Sequence, residues 1–179
     1  MVQYNLGAIF AKENNYQKAL EHWLKSKERD PGDPLLLANL GWVYEKTKQR
    51  DKAIKEYKLS IAADPFNPHV HFNLGRLETL RGNHSEAIES FKKAINLNPD
   101  YIEAYYRIGI VYDTIQDGGN AITNTIIAEM FYKNKNDLNM AAKAGENLRL
   151  FFGKYHLRRV DFADIALPDS LLEKGKSKK

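Results

Sequence analysis

Four glycines, Gly7, Gly41, Gly75 and Gly109, recur 34 residues apart without a slip. The same residue types return in phase around them: Asn5-Leu6-Gly7, Asn39-Leu40-Gly41, Asn73-Leu74-Gly75 and Arg107-Ile108-Gly109. Three residues past the glycine stands an aromatic in the first, second and fourth copies (Phe10, Tyr44, Tyr112), while the third carries Glu78. Twelve past it stands a small residue in all four: Ala19, Ala53, Ala87 and Ala121. Sixteen past it come Trp23, Tyr57 and Phe91, then Thr125 in the fourth copy. Pro31, Pro65 and Pro99 close the first three. A beat of this length describes a chain that repeats one supersecondary unit, which hides its apolar face by stacking on the next copy.

Each copy reads as two helices, 2–13 and 16–29 in the first, with apolar residues at helical spacing and the polar turn Asn14-Asn15 between them. Asp30-Pro31-Gly32-Asp33-Pro34 and Asp64-Pro65-Phe66-Asn67-Pro68 separate successive copies. Pro34 and Pro68 suit a first helical turn, where a missing N–H costs little. The repeated glycine and alanine belong where paired helices approach within about 8–10 Å, so a larger side chain there overpacks by roughly 1–3 kcal/mol.

This pattern resembles the tetratricopeptide repeat, W-x2-L-G-x2-Y…A-x3-F…P at period 34, over about residues 1–133. The resemblance implies an all-α fold, a right-handed α-solenoid of about four helix-turn-helix units, 1–33, 34–67, 68–101 and 102–133. A capping helix is expected within 134–156, where Asp137 to Phe152 carry Met140, Ala141, Ala144, Leu148, Phe151 and Phe152. A C-terminal extension, 157–179, follows with a short amphipathic helix from Leu167 to Lys174 and a lysine-rich tail. That helix has three alternatives: packing on the cap, hanging free, or folding back into the groove. Glu78 needs water or a basic partner, and Arg81 is the nearest candidate in sequence. Thr125, and Lys133 in place of the closing proline, mark the fourth unit as a transition into the cap. Met1 falls inside the first helix, as expected of an array from which earlier repeats have been trimmed.

Composition closes off several chemistries. With no cysteine, disulfides, cysteine-bound zinc, iron–sulfur clusters and thiol catalysis are excluded. Hydrophobic residues make up 43%, enough for a buried core. No apolar run approaches the roughly 18 residues of a membrane span. The N-terminus lacks the basic segment and apolar run of a secretory signal, so a soluble protein of the cytoplasm or periplasm is expected, with the compartment left open. The formal charge of +4 is located in the tail: Lys174 to Lys179 hold four of the 27 basic residues and no acid, leaving the remainder balanced against 23 acidic ones. The histidines His22, His69, His71, His84 and His156 form no HExxH and no compact metal spacing, and His69 and His71 would diverge on a helix. Gly118-Gly119 lacks the strand and the Lys-Ser/Thr of a phosphate loop, and no serine sits in a nucleophile elbow. These absences argue for a non-enzymatic chain without metal or cofactor.

In tetratricopeptide proteins the first helices of successive units line an inner, concave face where a protein or peptide segment binds. The resemblance places Asn5, Asn39, Asn73 and Arg107 on that face, with the aromatics Tyr4, Trp42, Phe72 and Tyr106. An amide offers two donors and an acceptor and can hold a peptide unit at both its C=O and its N–H. The arrangement is similar to the asparagine ladder of O-linked N-acetylglucosamine transferase repeats. The other reading is that the asparagines are solvated products of repeat duplication. Such bonds contribute a net ~0.5–1.5 kcal/mol each, against about 8 kcal/mol for micromolar binding. Aromatics must supply the rest, unless they belong to the core. Trp42, outside the Leu40/Tyr44 core register, is the strongest contact candidate. Arg76, Arg107 and His69 form either a basic spot for a carboxylate or phosphate, or ordinary surface pairs with acids. The lysine that chaperone-binding relatives need is replaced here by Tyr4, Ala38, Phe72 and Tyr106, which disfavours chaperone C-termini. Two rival readings are homotypic assembly through an uncovered apolar end and nucleic-acid association through the tail, which should be steeply salt-dependent.

Overall fold

The computed structural model describes residues 2–173. Its α-helices are α1 (Val2–Lys12), α2 (Tyr16–Lys27), α3 (Pro34–Lys46), α4 (Arg50–Ala63), α5 (Pro68–Arg81), α6 (His84–Leu97), α7 (Ile102–Thr114), α8 (Gly118–Asn134), α9 (Leu138–Tyr155) and α10 (Asp169–Glu173). A single 3-10 turn spans Arg159–Phe162, and the described residues include no strand. The lysine-rich tail lies outside them.

Local chemistry accounts for the helix ends. Pro34 opens α3, and the Asp33 carboxylate accepts hydrogen bonds from the N–H groups of Leu35 (2.9 Å) and Leu36 (3.3 Å), two donors with no partner inside the helix. Asn15, Asp117 and Asp137 do the same for α2, α8 and α9. The turn inside each helix pair needs one left-handed residue, and these residues keep the beat: Asn14 (φ 59°), Lys48 (φ 62°), Gly82 (φ 80°) and Gln116 (φ 62°).

The chain divides into two compact units, Met1–Glu78 and Thr79–Lys179, with the division inside α5. In the first, α1 pairs with α2, α3 pairs with α4, and α2 packs on α3. Leu36, Leu40, Val43, Ala53, Ile54, Tyr57 and Leu77 belong to its core. A Cβ on Gly7 would lie 2.4 Å from the Trp23 ring, and one on Gly41 would lie 2.6 Å from the Tyr57 ring. The in-phase glycine thus gives the in-phase aromatic its space. Buried carboxylates tie neighbouring helices together. Glu56 receives Lys27 at 2.6 Å, and Glu78, 1% exposed, receives Lys58 of α4 at 3.2 Å. The preceding helix pair thus supplies Glu78 with a base, because this position faces α4.

In the second unit α6 packs on α7, α7 pairs with α8, and α8 packs on α9. Tyr105, Ile127, Ala128, Phe131, Tyr132, Ala141 and Ala144 share a core. In the fourth copy Thr125 takes the place beside the glycine: its hydroxyl donates to the Ala121 carbonyl at 2.7 Å and would lie 2.5 Å from a Cβ on Gly109. After α9 the chain turns at His156 (φ 54°) and runs back over α8, where α10 packs. Of the three alternatives for this segment the structure shows packing, chiefly against α8, with a Phe152–Phe162 ring contact to α9 at 6.0 Å. No helix among the described residues is long and apolar enough to cross a membrane.

Candidate functional site

On the first-helix face of the first unit, Ala8, Ala11, Trp23, Asn39 and Trp42 line an open concavity of 410 Å³. Its origin is legible in the register. The position after each repeat glycine holds Ala8, Trp42, Arg76 and Ile110, and the small Ala8 beside the large Trp42 leaves space between α1 and α3. Trp42 is half-buried. Tyr16 meets its ring edge-on at 5.7 Å, and the Lys46 ammonium stands 5.5 Å from the ring centroid. Trp23 forms the floor, 2% exposed, with its indole N–H donating to the Tyr4 carbonyl at 3.0 Å.

The three asparagines differ. Asn5 is exposed. The Asn39 amide donates to the Tyr4 hydroxyl at 2.9 Å, and Tyr4 leans on Trp23 at 6.5 Å between centroids. Asn73 is half-buried. The Asn39 amide thus fixes a tyrosine as well as lining the concavity. An amide has two N–H groups and a carbonyl, so one bond to a hydroxyl leaves a donor and an acceptor over.

Arg76 is engaged by Glu45 at 2.9 Å, and Glu45 also lies 3.5 Å from the Tyr57 hydroxyl. Burial first, and then the Glu45 charge, hold the Tyr57 phenol far above its ordinary value. Arg107 pairs with Glu103 one turn earlier, at 3.0 Å on an exposed surface. Both arginines therefore follow the alternative of pairing with acids. His69 is exposed. Phe72 requires a correction: it is 4% exposed, so its ring is buried and offers no contact surface. Its helix turns that position inward where the equivalent Tyr4 and Tyr106 stay half-buried.

In the second unit Tyr106 packs edge-on against Tyr132 at 6.3 Å, and its hydroxyl accepts from Asn147 of α9 at 3.2 Å. Burial, followed by Glu103, pushes the Tyr132 phenol up to about 12. Sequence reasoning passed over Ala8, Ala11, Tyr16 and Asn147. Alanine gives no chemical signal, although comparing Ala8 with Trp42 across copies would have exposed the gap. Asn147 lies beyond the repeated region. No group of three or more His, Asp or Glu among the described residues could hold a metal ion.

Two family models match the chain, one described as "Tetratricopeptide repeat" over residues 36–67 and one as "TPR repeat" over residues 75–114. No curated protein matches it. Among solved structures, a crystal structure of MamA protein aligns with TM-score 0.69 and 20% identity over 93% of this chain and 96% of that one. MamA 41-end from Desulfovibrio magneticus RS-1 aligns with TM-score 0.69 and 22% identity over 74% and 75%. The first TPR of Spaghetti (RPAP3), solved bound to the HSP90 peptide SRMEEVD, aligns with TM-score 0.61 and 20% identity over 64% and 90%. The in-phase glycines, the paired helices and the family models agree, and residues 36–67 and 75–114 are tetratricopeptide repeats.

Proposed function

We propose that this chain is a non-catalytic scaffold that holds a segment of a partner protein on its first-helix face, gripped chiefly between α1 and α3. The concavity lined by Ala8, Ala11, Asn39 and Trp42 carries the reading. It combines a half-exposed indole, small apolar walls and an amide able to orient a peptide group. Covering such an aromatic supplies the larger share of affinity, while the amide fixes register. That a related fold has been solved holding a peptide supports the reading. The lining here differs from an acid-binding one: Arg76 is neutralised by Glu45, and aromatic side chains stand at Tyr4 and Tyr106. An apolar, weakly charged segment suits it better than the acidic SRMEEVD.

Selection of random dodecapeptides on the wild-type chain tests this. Enriched peptides should carry an apolar side chain and bind Trp42→Ala at least tenfold more weakly, with a similar loss for Ala8→Leu, which fills the concavity. Equal affinities of both folded variants and wild type would remove the groove from consideration. Trp42→Ala is a cleaner probe than Asn39→Ala, which also strips the Tyr4 hydroxyl of a partner.

A further inference from the structure

The segment after α9 repeats nothing in the 34-residue pattern, yet it lies in a defined seat on the second-helix side of the Thr79–Lys179 unit. Leu171, 8% exposed, joins the core cluster of Tyr105, Ile127 and Phe131, and Ile165 and Leu167 pack against that cluster. Two polar contacts flank these anchors. The Ser170 hydroxyl meets the Asp100 carboxylate, and Arg159 donates to the buried Glu129 at 3.2 Å.

The seat is incompletely filled. Between Ile95, Pro99, Tyr105 and Ile127 on one side and Ala166 to Asp169 on the other, an open space of 580 Å³ remains. The hold on the segment is also slight. α10 has five residues, its Leu171 N–H is bonded across a turn to the Pro168 carbonyl at 2.9 Å, and Val160 and Leu172 point to solvent, 65% and 50% exposed. Lifting it breaks little regular structure and uncovers an apolar groove with an acid at each end.

We propose that this groove is a docking site for a leucine-anchored segment of the pattern Ile-x-Leu-Pro-x-x-Leu with a basic residue upstream, which the chain's own Ile165–Leu171 occupies in cis and which a partner's segment of the same chemistry takes in trans. Leu171 and Leu167 define the apolar anchors, Asp100 receives a hydroxyl donor, and Glu129, which Lys133 of α8 also holds at 2.7 Å, receives the upstream cation. The tethered copy competes at an effective concentration in the millimolar range, so a partner enters only when it fits the unfilled space better or is itself concentrated. The site is separate from the first-helix face, and neither reading depends on the other.

A fluorescein-tagged peptide of residues 158–173 tests the proposal by anisotropy against full-length protein. It should bind Leu171→Asp, in which the tether is released, at least tenfold more tightly than wild type, and a peptide carrying the same replacement should bind neither. Equal affinity for the two proteins, or no binding by a variant with wild-type far-UV circular dichroism, would overturn it. Should that variant fail to fold, hydrogen exchange on the wild type decides. Excess peptide should speed exchange at Leu167 and Leu171 while α8 stays protected, whereas an unchanged rate, or exchange together with α8, refutes the site.

Discussion

Lys48 carries a left-handed backbone, φ 62°, that costs a side-chain-bearing residue about 1 kcal/mol and glycine almost nothing. Seven residues earlier the situation is reversed, since the Tyr57 ring fills the space beside Gly41. Glycine at the first position and alanine at the second should therefore move stability in opposite directions. Lys48→Gly is expected to gain about 0.5–1 kcal/mol and Gly41→Ala to lose about 1–3 kcal/mol in urea unfolding. The two sites also differ in legibility. Gly41 announces itself because the same residue returns in each copy. The left-handed turn is held by Asn, Lys, Gly and Gln in turn, and only asparagine and glycine hint at such a torsion. The repeat asparagines are a third case. Asn39 lines the concavity and also bonds the Tyr4 hydroxyl, a contact that no single copy encodes because Tyr4 and Asn39 belong to different copies of the repeat.

The helices were readable where punctuation and period agree. Asp33 and Pro34 open α3 as a capping aspartate and a first-turn proline should, and α5 runs over Pro68–Arg81 as its spacing implies. Asp33→Ala should lower stability by about 0.5–2 kcal/mol, and Asp33→Asn, which keeps an acceptor, by much less; thermal unfolding of the pair checks this. Legibility ends after α9 (Leu138–Tyr155), whose apolar spacing marks it as a helix. Nothing between Leu157 and Asp169 distinguishes a strap across α8 from one across α9, because the choice depends on which neighbouring surface is still uncovered once α6 to α9 have packed. Lys58 escapes notice for a related reason: an inward-facing Glu78 takes a partner from the preceding helix, closer in space than sequence distance suggests.

At the scale of the whole chain, helices chiefly touch those next to them in sequence, the condition under which stability approximates a sum of local terms and neighbour interfaces. Injury at one end should then stay there. Gly7→Ala, which drives a methyl into the Trp23 ring, is expected to lower amide protection in α1 and α2 while α8 and α9 keep theirs in hydrogen exchange; a uniform loss would show a single cooperative block. The glycine–aromatic pairing of the first hairpin also makes the chain its own optical instrument. Its two indoles sit in unlike surroundings, Trp23 sealed behind Gly7 and Trp42 at the groove mouth. Emission from Trp23 follows the melting of one hairpin. The spectrum of Trp42 should move to shorter wavelength if the proposed segment covers its ring, so one cuvette would separate a loss of structure from the arrival of a guest.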